Sequence, residues 1–212
     1  MKVLYLEAQK KLNEKESPIN IDPKSFNEKQ VFLAYSIQYK QLAEQIKKEL
    51  EAKKVKIMGF QQVLGCTKLK TDYSILLIGS GRFHALNLAL QNPVVYVYNG
   101  GTIAKIEEKD LSELKKNKEI NLKRFVLAKN IGIIISTKPG QENLKKAKLF
   151  KEKITKKYPE KRVFFFVSNN INLNELENFS INFWINSACP GITNDSPKIT
   201  NIDDITDFLQ EN

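Results

Sequence analysis

Continuous apolar segments alternate with amphipathic ones along most of this chain, and this alternation limits its possible folds more than any other feature. Val31–Ser36, Ser74–Ile78 and Ile131–Ser136 are apolar at almost every position, as in strands that are buried on both faces. We predict further strands at Val3–Leu6, Val55–Phe60, Pro93–Tyr98, Val163–Val167 and Phe183–Asn186. Strands of this kind belong in parallel sheets whose faces are covered by helices.

The segments between the strands carry apolar residues every three or four positions with lysines opposite, which is typical of helices with one buried face. Predicted helices span Gln38–Lys53, Phe83–Leu90, Asp110–Asn130, Gln141–Lys157, Leu173–Leu176 and Asp203–Leu209. The order of elements predicts an α/β fold made of two related domains, each a small parallel sheet flanked by helices. The most polar stretch, EEKDLSELKKNKE, places the boundary near residues 105–118, which gives domains 1–110 and 111–212.

The chain of 212 residues has a formal net charge of +10, from 34 Lys and Arg against 24 Asp and Glu. Only Arg82, Arg124 and Arg162 are arginines. Bidentate contacts to phosphates and guanines favour the planar guanidinium, so a composition this poor in arginine argues against a dedicated nucleic-acid-binding protein. The positive charge is better suited to docking on an acidic protein partner.

The two cysteines, Cys66 and Cys189, are too few for the disulfide framework of a secreted scaffold. No apolar run approaches the length of a membrane span, and the first residues lack the pattern of a signal peptide. We therefore expect a cytoplasmic protein without a membrane association.

Both cysteines follow small residues just past a predicted strand, and ligands of open parallel sheets gather at the carboxyl ends of the strands. Two related domains facing each other would bring both thiols to a shared site. The alternative is that each cysteine is a small buried apolar residue. Gly79-Ser80-Gly81, between a strand and a helix start, suits either an anionic group or a plain turn. His84, the only histidine, suits a packed, hydrogen-bonded side chain.

Five sequence blocks in order along the chain resemble the diphthamide-forming 2-(3-amino-3-carboxypropyl)histidine synthases. Gln61–Cys66 is similar to the family segment G-Q-V-L-G-C, and Ile78–His84 is similar to I-G-D-G-x-F-H. The second block is followed by a helix and Asn92-Pro93. The other three blocks are Lys123–Phe125 with a later Ala-Lys (R-F-x-x-I-x-x-A-K), Ile133–Thr137 with Gly140-Gln141 (G-I-L-L-G-T), and Phe183–Pro190 (W-V-x-x-A-C-P), which is followed by Asp195 at a later acidic position.

Proteins of that family have three related α/β domains, each supplying one cysteine to a central 4Fe–4S cluster. The resemblance implies that Cys66 and Cys189 are two of the three ligands and that Gly79-Ser80-Gly81 and His84 lie near the cofactor. It implies S-adenosylmethionine as cosubstrate and transfer of its 3-amino-3-carboxypropyl group to a histidine of elongation factor 2. This transfer is the first step of diphthamide biosynthesis.

The family's first domain, with its own cysteine, has no counterpart here, and Met1 falls just before the strand that opens the second domain. We therefore expect a separate chain, or a second copy of this one, to supply the third thiolate. Ser80 and Asn182 stand where the family commonly has acids, and Gly191 stands in place of an arginine. These differences leave the predicted cluster ligands unchanged but affect residues expected to contact the substrate.

Two other functions remain open at this point. The first is a non-catalytic subunit that keeps the fold and supports an active relative. The second sets the resemblance aside and takes the chain as a nucleotide-binding α/β module, which would bind its ligand without iron.

Overall fold

The structure, a computed structural model, describes residue 6, residues 26–194 and residues 198–211. The chain divides into two compact units, Met1–Leu111 and Ser112–Asn212, and the division falls inside a helix. The predicted strand Val3–Leu6, apart from Leu6, and the predicted acidic position Asp195 lie outside the described residues. None of the described helices is both long and apolar enough to cross a membrane.

The first unit contains a five-stranded sheet in which all neighbouring strands are parallel except the last pair. Its elements are β1 (Gln30–Tyr35), α1 (Lys40–Ala52), β2 (Lys56–Gln62), β3 (Ser74–Ile78), α2 (Arg82–Ala89), β4 (Val95–Asn99) and β5 (Thr102–Lys105). The strand order is β2-β1-β3-β4-β5. Alternate residues of β1 enter two cores, one under α1 around Leu33 and one under α2 around Ala34.

The second unit repeats this order with four parallel strands. After α3 (Glu108–Leu127) come β6 (Asn130–Ser136), α4 (Leu144–Lys157), β7 (Arg162–Ser168), β8 (Phe183–Asn186), β9 (Ile199–Asn201) and α5 (Ile202–Glu211). The strand order β7-β6-β8-β9 matches β2-β1-β3-β4 of the first unit. The predicted α/β fold of two related units with parallel sheets is therefore confirmed.

Several predicted elements differ from the structure. The antiparallel β5 was not predicted; it follows a two-residue hairpin turn at Gly100 and Gly101, whose φ angles are +58° and +93°. Three-residue β9 was also not predicted, and the predicted helix at Leu173–Leu176 is a 3₁₀ segment that lies against the second face of the sheet. The helix predicted to end at Asn130 ends at Leu127, because Asn130 already belongs to β6.

Strand glycines make room for aromatic rings on the neighbouring strand in both sheets. Gly59 of β2 pairs with Phe32 of β1, and Gly132 of β6 pairs with Trp184 of β8. A Cβ atom at either glycine would overlap the ring. Trp184 is buried against Phe166.

The buried side chain of a lysine from elsewhere in the second unit caps the C-terminal end of α3. The Nζ atom of Lys161 donates to the carbonyl oxygens of Phe125, Val126 and Ala128 at 3.1, 2.7 and 2.7 Å. It also lies 5.4 Å from the ring centroid of Phe125. Burial lowers the pKa of Lys161. Helix carbonyls at a C-terminus lack intrahelical partners, so this ammonium supplies the donors that end the helix and join it to the start of β7.

Replacing Lys161 with Met is expected to lower the free energy of unfolding by roughly 2–4 kcal/mol, because three carbonyls lose their charged donor inside the protein. The measurement is urea unfolding followed by circular dichroism. Lys156→Met is the matched control, since Lys156 is exposed and no carboxylate of the described residues pairs with it. Equal stability of the two variants would contradict this role for Lys161.

Candidate functional site

Cys66 lies in a tight turn that leaves the carboxyl end of β2. The N–H of Val63 donates to the carbonyl of Tyr35 at 2.8 Å, which continues the strand pairing for one more residue. The turn is then closed twice, because Leu64 N–H donates to Thr67 Oγ1 at 2.7 Å and Thr67 N–H donates to the Leu64 carbonyl at 3.0 Å. Cys66 is exposed within this turn and forms no disulfide, so its thiol is accessible.

Two side chains of helix α2 contact the Cys66 turn. Asn87 donates from Nδ2 to the carbonyl of Gly65 at 2.6 Å. The ring of Phe83 occupies the space beside Gly65 where any larger residue would place its Cβ. Gly65 is therefore required by the close approach of an aromatic ring, and the position of the Cys66 turn depends on α2.

The predicted loop Gly79-Ser80-Gly81 joins β3 to the start of α2, beside the Cys66 turn. Gly79 lies against Ser36 at the end of β1, where a Cβ would come 3.0 Å from the Ser36 hydroxyl oxygen. Gly81 has a φ of +117°, a backbone conformation that favours glycine. Ser80 is exposed. The loop places the first backbone N–H groups of α2 at the same edge of the sheet as Cys66.

His84 packs beneath this loop. A Cβ on Gly81 would lie 3.3 Å from Nδ1 of His84. Nδ1 is buried and, in the part of the chain that the structure describes, has no hydrogen-bond partner. The prediction of a packed side chain holds, whereas the expected hydrogen bond at Nδ1 is absent there. Burial lowers the pKa of His84, so the imidazole is neutral at neutral pH.

Phe83 and His84 are adjacent on α2 and link the two loops of the first unit. Phe83 contacts the Cys66 turn, and His84 contacts the Gly79-Ser80-Gly81 loop; the two rings meet edge to face at 5.9 Å. The structure thus brings all the predicted site residues of the first unit to the carboxyl edge of one sheet.

Cys189 lies in a second turn, which leaves the carboxyl end of β8. Asn186, the last residue of β8, accepts from Ala188 N–H at 2.9 Å and donates to the Cys189 carbonyl at 2.8 Å. Ser187 donates from its hydroxyl to the Ile134 carbonyl at 2.7 Å. Cys189 itself is half-buried and forms no disulfide. The backbone of this turn is thus fixed by side chains, and its cysteine is neither fully buried nor fully exposed.

The two cysteines occupy different positions of the repeated fold. Cys66 follows the second strand of its unit, whereas Cys189 follows the third, where the first unit has Gly79-Ser80-Gly81. Within residues 26–194 and 198–211, no three His, Cys, Asp or Glu side chains converge on a metal-sized site. The shared site for the two thiols stays a prediction.

The three positions that differ from the resembling family lie at three separate places in the fold. Asn182 accepts from Asn130 N–H at 3.0 Å, at the start of β8 and therefore at the opposite end of this strand from Cys189. Gly191 lies in the 3₁₀ turn that directly follows Cys189, and Ser80 lies in the loop described above. Sequence reasoning did not single out Asn87 and Asn186. The available signal for Asn186 was a polar residue that ends an otherwise apolar strand.

Comparison with known proteins identifies the family. The sequence model for diphthamide synthesis proteins matches residues 1–200. The chain belongs to this family. It is 30% identical over 154 residues to the 2-(3-amino-3-carboxypropyl)histidine synthase of Methanocaldococcus jannaschii and 30% identical over 135 residues to that of Pyrococcus horikoshii. The matches cover 66% and 62% of this chain and 42% and 39% of those relatives.

Solved structures of diphthamide synthesis proteins have the same fold. Dph2 from Pyrococcus horikoshii aligns with a TM-score of 0.75 and 22% identity over 87% of this chain and 58% of that one. The structure of that protein with a 4Fe–4S cluster aligns with a TM-score of 0.72 and 23% identity over the same shares. This chain therefore spans little more than half of the solved proteins that it resembles.

Replacing Gly65 with Ala is expected to cost about 1–3 kcal/mol of unfolding free energy, because the new methyl group overlaps the Phe83 ring. Adding Phe83→Ala removes the overlapping ring, so the double variant should lose less stability than the sum of the single variants. Leu64→Ala, in the same turn but exposed, is the control and should cost little. Additive effects in urea unfolding would contradict the close contact.

The single histidine allows a direct titration of His84 by NMR. We expect the folded chain to titrate below the ordinary value of 6.5, because burial disfavours the imidazolium, and the urea-unfolded chain to titrate near that value. Between the two midpoints the unfolded state binds more protons, so acidification through this range destabilises the fold. A folded midpoint at or above the unfolded one would contradict the neutral, buried imidazole.

Proposed function

We propose that this chain forms part of a 2-(3-amino-3-carboxypropyl)histidine synthase and contributes Cys66 and Cys189 as thiolate ligands of a 4Fe–4S cluster. Family membership supports the class of reaction. The observation that carries the site assignment is that each unit holds one free cysteine, outside the buried core, on a backbone-fixed turn at the carboxyl edge of its sheet.

The two thiols suit an iron–sulfur cluster in chemistry and setting. Thiolates are the usual protein ligands of such clusters, and both cysteines are free. Neither thiol is buried in an apolar core, where it would be inert. A cluster held by three thiolates would leave one iron open for S-adenosylmethionine and, once reduced by an external one-electron donor, would supply the electron for its cleavage. The third thiolate, in this proposal, comes from a chain carrying the family's first domain or from a second copy of this chain.

The residues near Cys66 would orient the cosubstrate. Backbone N–H groups at the start of α2 and the exposed Ser80 hydroxyl suit a carboxylate, as helix N-termini suit anions generally. The neutral His84 supports the loop from below without adding a positive charge. We assign Gly79-Ser80-Gly81 and His84 to this role, with the 3-amino-3-carboxypropyl group passing to a histidine of elongation factor 2.

A second candidate is a supporting subunit that holds the fold but not the reacting cluster. Ser80 and Gly191 favour it, because both differ from the resembling family: Ser80 precedes the N-cap residue of α2, and Gly191 lies in the 3₁₀ turn that follows Cys189. This candidate predicts that the chain's cysteines are dispensable for transfer by the complete complex.

Anaerobic reconstitution with iron and sulfide tests the ligand assignment. The chain is reconstituted alone and together with a first-domain chain, and bound iron, visible absorbance and low-temperature EPR are measured. Cys66→Ala and Cys189→Ala should each reduce the bound iron severalfold, because each removes one of few anchors. Leu64→Ala is the matched control in the Cys66 turn and should load normally. Full loading of the double cysteine variant would overturn the assignment.

A further inference from the structure

We propose that Asn186 is a positioning residue for Cys189: its side-chain amide fixes the turn that carries the thiol and thereby controls how readily that thiol takes up iron. The inference rests on the proposed role of Cys189 as a ligand. Asn186 ends β8, between β6 and β9, and is only 1% exposed. Burying a polar side chain this deeply lowers the stability of the fold unless the side chain makes its hydrogen bonds.

Asn186 makes three hydrogen bonds, two of them to the backbone of the Cys189 turn. Oδ1 accepts from Ala188 N–H at 2.9 Å, and Nδ2 donates to the Cys189 carbonyl and to Asn201 Oδ1, both at 2.8 Å. The hydrogen bond from Ala188 N–H to Asn186 Oδ1 closes an Asx turn, in which a side-chain oxygen takes the place of the backbone carbonyl of an ordinary turn. The donated bond then holds the peptide group of Cys189 itself.

The neighbouring groups fix which way the Asn186 amide points. Asn201 donates from Nδ2 to Thr193 Oγ1 at 3.1 Å, so its Oδ1 is the atom that faces Asn186. Ala188 N–H requires an acceptor, and the Cys189 carbonyl requires a donor. An aspartate at position 186 would satisfy Ala188 but would face the oxygens of Cys189 and Asn201 without a hydrogen. Turning the Asn201 amide would relieve only the second conflict.

The Cys189 peptide is consequently held from two sides. Its carbonyl accepts from Asn186 Nδ2 and from Ile192 N–H, the latter at 3.1 Å. Because the backbone of Cys189 is already fixed, metal binding has to restrict only the rotation of its side chain. Ligands held in place in this way lose less entropy on binding, and their supporting residues affect metal affinity without touching the metal.

The test uses Cys66→Ala as background, which leaves Cys189 as the single thiol of the chain. Its alkylation by iodoacetamide is timed without iron, so the readout is independent of activity. Cys189 is half-buried, so opening of its turn aids its alkylation. With rates taken at a pH where the thiol is fully ionised in every variant, Asn186→Asp should raise the rate about tenfold, the factor expected when one hydrogen bond to the turn is lost. In the chain with both cysteines, the same substitution should reduce reconstituted iron severalfold.

Asn92→Asp is the matched control. Asn92 is also buried, accepts from Thr71 N–H at 2.9 Å and donates to the carbonyls of Leu69 and Leu88 at 2.8 and 2.9 Å. Its substitution damages an equivalent network in the first unit and should leave the Cys189 alkylation rate unchanged. A rise as large as that of Asn186→Asp would overturn the inference, because it would indicate general loosening.

Circular dichroism and thermal melts establish that the variants are folded. Where Asn186→Asp unfolds, Asn186→Ser decides, because its hydroxyl can accept from Ala188 N–H but lacks the amide donors; it should give an intermediate rate. Wild-type alkylation in the folded Asn186 variants would overturn the inference. Normal iron loading by Cys189→Ala would instead refute the proposed function, so the two failures are distinguishable.

Discussion

Where a strand ends at the carboxyl edge of its sheet, the following backbone N–H and carbonyl groups no longer pair with a neighbouring strand and need other hydrogen-bond partners. The rest of the site depends on which side chains provide them. In the first unit, Asn87 binds the carbonyl before Cys66, and Phe83 fills the space beside Gly65. In the second unit, Asn186 accepts from the N–H of Ala188 and donates to the carbonyl of Cys189. Unpaired peptide groups in such places are costly, so these side chains determine the turn conformations. Each cysteine therefore lies in a turn fixed by side-chain hydrogen bonds, with Cys66 exposed and Cys189 half-buried.

The two units show how one fold is used in two ways. Their strand orders match, yet Cys66 follows the second strand of its unit and Cys189 the third. The first unit keeps the third-strand position for Gly79-Ser80-Gly81, whose N–H groups begin α2. In the proposed function, a similar scaffold thus offers a thiol and a loop for the cosubstrate carboxylate in one unit, and a thiol in the other. This division is consistent with the proposed roles of ligand and cosubstrate orientation.

The apolar pattern predicted the sheets well because strands buried on both faces are recognisable from local sequence. It failed for β5 and β9, which are short and owe their pairing to the Gly100-Gly101 hairpin and to neighbouring strands. The cysteines were found from their sequence blocks. Asn87 and Asn186 were missed because their partners are backbone groups of turns, and hydrophobic periodicity carries no record of those turns.

The central claim is that the thiolates of this chain hold the cluster used in transfer of the 3-amino-3-carboxypropyl group. The most direct test is a single-turnover assay under anaerobic conditions, with dithionite as reductant, S-adenosylmethionine labelled in its 3-amino-3-carboxypropyl group, elongation factor 2 and the complete complex. We expect label on elongation factor 2 with the wild-type chain and none when both Cys66 and Cys189 are alanine. Undiminished transfer by the complex with the double variant would contradict the claim.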